Sequence, residues 1–343
     1  MPSSSPEELF FSLHPIPFAM LFRTELQTAS SPLKIRLGDA VFGLGSCFAE
    51  HTGRLLADYK WDVLINPFGT LFDPLSMARA LEYISQGKDL EDWGYVQREG
   101  IWCHFHLHSR ISAQKKEEMI AEFCRVRDTA RQFLHRASVV TLTLGTALVY
   151  ELSETGFPVA NCHKQPGNQF NLRRMTVDEV AGALNRSAES IRTVAPDSRI
   201  LVTLSPVRHI RQGFEANALS KATLRLAIEQ FVSGSSNRVY FPAYEIMLDD
   251  LRDYRFYDRD MVHPAEQAIA YIWEKFQYAC VDEQARTFIG HWENVRQALS
   301  HRPFHPSGDA YKSFIRQTIR QLEGFKGVVD VTEEIAALSS RLV

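Results

Sequence analysis

Five short apolar runs, each leading into a stretch with helical spacing, constrain this chain more than any other feature. They are DAVFGLG (39–45), KWDVLINP (60–67), ASVVTLTLG (137–145), SRILVTLSP (198–206) and RVYFPAY (238–244). The runs are β-branched or apolar on both alternating positions, so both faces of the resulting strands are covered. Strands of that kind, separated by amphipathic helices, predict a parallel sheet with helices on both sides. The intervening helices read as CFAEHTGRLLADY (47–59), DPLSMARALEYISQ (73–86), about 114–136, 176–194, 216–233 and Pro264 to about Ala279. Asp73-Pro74 is a capping residue followed by proline at the first helical position. REGIWCHFHLHS (98–109) alternates as a hairpin strand does. Beyond about residue 282 the pattern is helical with no further strand.

These boundaries predict an N-terminal segment (1–29) packed on the core, a main α/β domain (30–281) and a C-terminal helical extension (282–343). The greasy string LFFSLHPIPFAMLF (9–22) follows Glu7 and Glu8, holds His14 and two prolines, and lacks the basic start of a leader peptide. No run is long enough to span a membrane. A net charge of −3 without a basic run disfavours nucleic acid and anionic lipid as partners. Five scattered cysteines without a CxxC pair fit reduced thiols, and a cytoplasmic location is expected.

In a parallel sheet of this kind the site lies beyond the carboxyl ends of the strands. That filter selects Ser46, Asn66 to Thr70, Gly145-Thr146, Ser205 to His209 and Asp260 to His263. Ser46 stands where a buried strand becomes a helix, a place for an exposed nucleophilic hydroxyl or for an ordinary helix cap. Asp260 and His263 are three apart before a helix, so the carboxylate can hold Nδ1–H and leave Nε2 to take a serine proton. Arg208 either grips a substrate carboxylate or phosphate or pairs with an acid such as Asp260. His104, His106 and His108 alternate and would share one strand face. With no carboxylate or cysteine at ligand spacing, they read as a polar hairpin face and not as a metal site. Cys47 is expected buried in the helix's first turn and not itself the nucleophile.

LGSCFAE (44–50), NPFGTLFDP (66–74), LGTALVY (144–150), ANCHKQP (160–166), SPVRH (205–209) with SKA (220–222), and the string from Tyr240 to Pro264 resemble, in order, the motifs of GSCFA-domain proteins. The resemblance covers about residues 22–280. It implies kinship with the SGNH/GDSL hydrolases: a three-layer flavodoxin-like α/β fold that cleaves esters with a serine nucleophile and needs no cofactor. Carried over, it implies Ser46 as nucleophile, His263 as base, Asp260 and not Asp258 as the carboxylate, and the N–H groups of Ser46 and Gly69 as oxyanion donors. The third SGNH motif, G-x-N-D, is absent, because Gly145 is followed by Thr-Ala-Leu. Thr146, or Asn161 and His163 folding back, would supply the missing donor. Asn66, His163, Arg208 and His209 complete the expected substrate contacts. The expected substrate is a small acyl ester or an acylated carbohydrate. The alternatives are a weak or inactive binding protein of the same fold, or an acyltransferase using the same site.

Overall fold

The computed structural model describes residues 23–300 and 308–342. The string 9–22 therefore lies outside the described residues. The short stretch that follows it lies on the core: the Leu26 N–H donates to Asp250 Oδ1 at 2.7 Å and Lys275 pairs with Glu25 at 3.2 Å.

The central sheet has five strands, β1 (Ala40–Gly45), β2 (Asp62–Ile65), β5 (Val139–Leu144), β9 (Arg199–Leu204) and β10 (Arg238–Phe241). Their spatial order is β2-β1-β5-β9-β10, and every neighbouring pair is parallel. Register aligns Phe42 with Val140 and Ile200 in one row, and Leu44 with Leu142 and Val202 in another. These residues face α2 (Pro74–Gln86), α3 (Lys116–Arg136), α4 (Val177–Val194) and α5 (Phe214–Ser233). The alternate residues Val41, Val139, Leu201 and Val239 face the other way, packing with Phe48, Ile272, Trp273 and Trp292. That second layer is α1 (Cys47–Asp58), α7 (Glu266–Cys280) and α8 (Glu283–Ser300). Period-two side-chain direction thus splits the core into two sheets of contact.

Helix boundaries follow local chemistry. Asp73 Oδ1 accepts the Ser76 N–H at 2.9 Å and Pro74 opens α2, a cap contributing about 1 kcal/mol. Thr176 and Glu179 form a reciprocal capping box at the start of α4. Helix α7 begins two residues later than the proline suggested. Pro264 instead bridges Tyr257 in extended conformation, and Ala265 takes the cap position.

Two small antiparallel sheets lie outside the central one. β3 (Tyr95–Arg98) pairs with β4 (Ile101–His104). β6 (Leu148–Leu152) is flanked by β7 (Pro158–Val159) and β8 (Phe170–Arg174) in a three-stranded sheet that the sequence pattern did not reveal. After β10 the chain makes a short turn of helix, α6 (Ala243–Glu245), which runs on as a π-helical turn over Ile246–Asp250.

The C-terminal region is helical: α8 is followed by α9 (Asp309–Glu323) and α10 (Thr332–Ser339). It is tied to the end of α1, where Trp292 Nε1–H donates to the Asp58 carbonyl at 2.9 Å and Lys60 pairs with Glu334. No described helix is long and apolar enough to cross a membrane. All five cysteines are free.

Candidate active site

From β1 the chain moves outward to β2, then returns across the sheet to β5 on the other flank of β1. The crevice beyond β1 and β5 is therefore the switch point of strand order, and Ser46 and Gly145-Thr146 sit at its two lips.

Ser46 occupies the N-cap position of α1 (φ −68°, ψ 176°), yet its side chain makes no cap hydrogen bond. A capping serine accepts from the second or third helical N–H; this one donates to Ser205 Oγ at 3.0 Å. The expected exposed hydroxyl is not what the structure contains. Ser46 is fully buried (0% exposed), because the turn after β9 brings Ser205, itself fully buried, over the end of β1. Cys47, next in the chain, is part-buried, and desolvation raises its thiol pKa.

Asp260 and His263 come together on an exposed turn. Asp260 Oδ2 accepts from His263 Nδ1 at 2.6 Å, while Oδ1 accepts the N–H groups of Val262 and His263 at 2.9 and 3.0 Å. Three donors on one carboxylate, the His263 amide foremost, hold its pKa down to about 2. The aspartate is thus an anion at neutral pH, and it fixes the imidazole tautomer that leaves Nε2 unprotonated. Asp258 instead accepts the Arg259 N–H. Burial foremost lowers the pKa of His51 of α1 and of His209, both of which lie within electrostatic range of His263. Among the described residues no hydrogen bond joins His263 to Ser46.

Beneath this crevice α5 presents three polar residues at helical spacing. Asn217 Oδ1 accepts the His209 N–H at 2.8 Å, and Ser220 Oγ accepts the Ala147 N–H at 2.7 Å. Lys221 Nζ donates to the carbonyls of Gly145 and Ser205 at 2.8 and 2.7 Å. One helix face therefore clamps the loops after β5 and β9, including the residue that holds Ser46 Oγ. Lys221 is 2% exposed, and desolvation lowers its pKa from 10.5 to about 7. Between those two values the unfolded chain binds a proton that the folded chain does not. Folding stability should therefore rise with pH across that window. We expect Lys221→Met to flatten this rise when urea midpoints are compared from about pH 6 to 9; parallel curves for both proteins would contradict it. Sequence reading passed over Lys221, because a lysine on an amphipathic helix looks solvated.

The expected oxyanion donors all have other partners in this state. The Ser46 N–H donates to the Thr143 carbonyl at 3.1 Å and the Gly69 N–H to the Asn66 carbonyl at 2.8 Å. The Thr146 hydroxyl is shared with Ser220 Oγ at 3.0 Å, and Asn161 Nδ2 donates to Ser109 Oγ. Two of the expected substrate contacts are buried and already engaged. Asn66, fully buried with φ +49°, accepts the Gly45 N–H at 2.8 Å and so ties the ends of β1 and β2 together. His163 is buried and donates from Nε2 to the His104 carbonyl at 2.8 Å.

The three alternating histidines do not share a strand face, since β4 ends at His104 and the next residues turn. His104 and His106 point inward, with donor atoms within 4.8 Å of each other and of Glu91. These are the residues with the geometry to hold a metal; most of their donor atoms are matched, but the buried His106 Nε2 has no hydrogen-bond partner among the described residues. His104 Nε2 donates to the Glu91 carbonyl, His104 Nδ1 accepts the His106 N–H, and the Tyr83 hydroxyl touches both Glu91 and His106. His108 parts from them and packs on Gly69, where an added Cβ would lie 2.3 Å from His108 Cβ.

No curated protein sequence is detectably similar to the chain. Solved structures with a distant likeness include a carbohydrate esterase family 3 protein from Talaromyces cellulolyticus (10% identity, 75% of this chain and 99% of that one, TM-score 0.34). A mutant acetyl esterase with acetate ion (11% identity, 75% and 99%, TM-score 0.35) is another. A third is an acetyl xylan esterase from the rumen bacterium Butyrivibrio proteoclasticus (10% identity, 78% and 66%, TM-score 0.33). The GSCFA domain protein C-terminal domain matches residues 292–343. The GSCFA family itself matches residues 40–276, well over half of the chain, and the chain belongs to that family.

Proposed function

We propose that this protein is a serine-dependent ester hydrolase of SGNH type, acting on a small acyl ester or an acylated carbohydrate. The observation that carries the reading is Ser46: a serine at the N-cap of the helix after β1, at the switch point, that withholds its hydroxyl from the cap. Renumbered along the sheet, the strand order is 2-1-3-4-5, the order of flavodoxin-like folds.

In this reading the structure is a resting state. For reaction, the Ser46 hydroxyl exchanges Ser205 for His263 Nε2 as its acceptor, since catalytic hydrogen bonds commonly tighten only with substrate bound. Oγ attacks the acyl carbonyl while His263 takes the proton, and Asp260 stabilises the imidazolium. The uncapped N-terminus of α1 faces the developing oxyanion with its positive end. Collapse returns the proton from His263 to the leaving alcohol, and water, activated by the same imidazole, releases the acid.

A second reading, a binding protein of the same fold with weak or no turnover, is favoured by the burial of Ser46 and the engagement of each expected oxyanion donor. An acyltransferase differs from the hydrolase only in the acceptor of the acyl group. Hydrolysis of acetyl and short-chain aryl esters separates the first two. Wild-type protein should turn over at least one, and Asp260→Asn should lower kcat by about 10⁴-fold, because the imidazole tautomer is no longer enforced. A fully folded Asp260→Asn protein with wild-type kcat would remove Asp260 from the mechanism.

A further inference from the structure

Beside the Asp260–His263 turn a cleft of about 560 Å³ opens between the turn at residues 208–212 and the small sheet of β6, β7 and β8. Phe72, Leu148, Tyr150 and Leu172 give it apolar walls, and Thr146 and His209 line it at the ends of β5 and β9. Val262, the residue before His263, also lines it, so a ligand filling the cleft lies against the catalytic turn.

Arg208 and Arg211 are the cations of this cleft. The Arg208 guanidinium lies over the Tyr257 ring at 3.7 Å and near Tyr254 at 5.4 Å. The Arg208 side chain also donates a long hydrogen bond, 3.4 Å, to the Met261 carbonyl. The acid that sequence reading offered as its partner, Asp260, is committed to His263. Arg211 follows on an exposed 3-10 turn, Ile210–Gln212. Among the described residues no carboxylate pairs with either arginine. A guanidinium held over an aromatic ring and unpaired with any carboxylate keeps N–H donors free for a bidentate anion. His209, which also lines the cleft, does not compete for that role, because burial foremost pushes it down to about 4 and leaves it neutral. Its buried Nε2 has no hydrogen-bond partner.

Building on the hydrolase reading, we propose that the cleft recognises an ester with an anionic end, a carboxylate or a phosphate, separated from the scissile carbonyl by an apolar segment. The arginines take the anion, the walls take the apolar segment, and the carbonyl lies toward Ser46 and His263.

Binding and turnover test this separately. Calorimetric titration of wild-type and Ser46→Ala protein would use 3-phenylpropionate, phenyl phosphate and the neutral 3-phenylpropanol as probes. At least one anion should bind about tenfold or more tighter than the alcohol, as expected for charge-assisted hydrogen bonds. Which anion is preferred identifies the headgroup. The double variant Arg208→Met, Arg211→Met should lose the preference; Arg211→Met alone, on an exposed turn, should weaken it should the double variant fail to fold. In turnover, an aryl hemisuccinate should show a lower KM than the aryl butyrate, again by about tenfold. Equal binding of anions and alcohol, or a preference that survives loss of both arginines, would overturn the proposal. Ester turnover without charge preference would sink the cleft assignment and leave the hydrolase standing. Arginine-dependent anion binding without any ester turnover would do the reverse.

Discussion

Ser46→Ala is expected to abolish ester turnover, lowering kcat by on the order of 10⁶-fold while leaving the fold intact. Alanine removes the hydroxyl that holds Ser205 Oγ in this structure and that is proposed as the nucleophile. His263→Ala should cost a similar factor, and the double variant little more, because nucleophile and base act as one unit. The side chain makes one hydrogen bond, to Ser205 Oγ, and caps nothing, so its loss should shift stability by only about 1 kcal/mol. That combination separates a nucleophile from a structural serine. Activity loss that tracked a comparable loss of stability would point to a structural serine.

Gly45→Ala is expected to be the most damaging single change to the fold at the site. Gly45 has φ +153°, and a Cβ there would lie 2.3 Å from the Thr143 carbonyl oxygen and 2.9 Å from its carbon. Those are backbone atoms of the neighbouring strand, so no side-chain rotation relieves the clash. The residue is also pinned on both polar groups: its N–H donates to Asn66 Oδ1 at 2.8 Å and its carbonyl accepts the Leu71 N–H at 3.0 Å. Accommodating a methyl means shifting β1 against β5 at the sheet's centre. We expect a loss of about 3 kcal/mol, read as a fall in Tm of roughly 6–12 °C. A Tm unchanged within error would show that the turn after β1 is looser than this geometry.

What the sequence disclosed follows the range of the interactions involved. The five central strands were legible because each is a β-branched or apolar run bounded by Gly, Pro, Asn or Ser, and Asp73-Pro74 marked its helix because capping is local. The Asp260–His263 pair was legible for the same reason, being three residues apart in one turn. The three-stranded sheet was not, since LVYEL, PV and FNLRR are too short and too mixed in polarity to carry a period. The histidine alternation misled because period two holds only inside a strand, and β4 stops at His104. The burial of Ser46 depends on Ser205, 159 positions away, and on a lysine from a different helix, none of which a local string contains. Arg208 was offered two fates, and its pairing with Asp260 failed because the carboxylate's three acceptor bonds were already taken by its own turn.

Treatment with a fluorophosphonate, followed by peptide mass spectrometry, tests the assignment of Ser46 most directly. The reagent phosphonylates a serine only where a base activates the hydroxyl. The wild-type protein should carry one adduct, on the peptide containing Ser46, and His263→Ala should carry none. A wild-type protein that stays unlabelled while hydrolysing esters, or one labelled at a serine other than Ser46, would contradict the account.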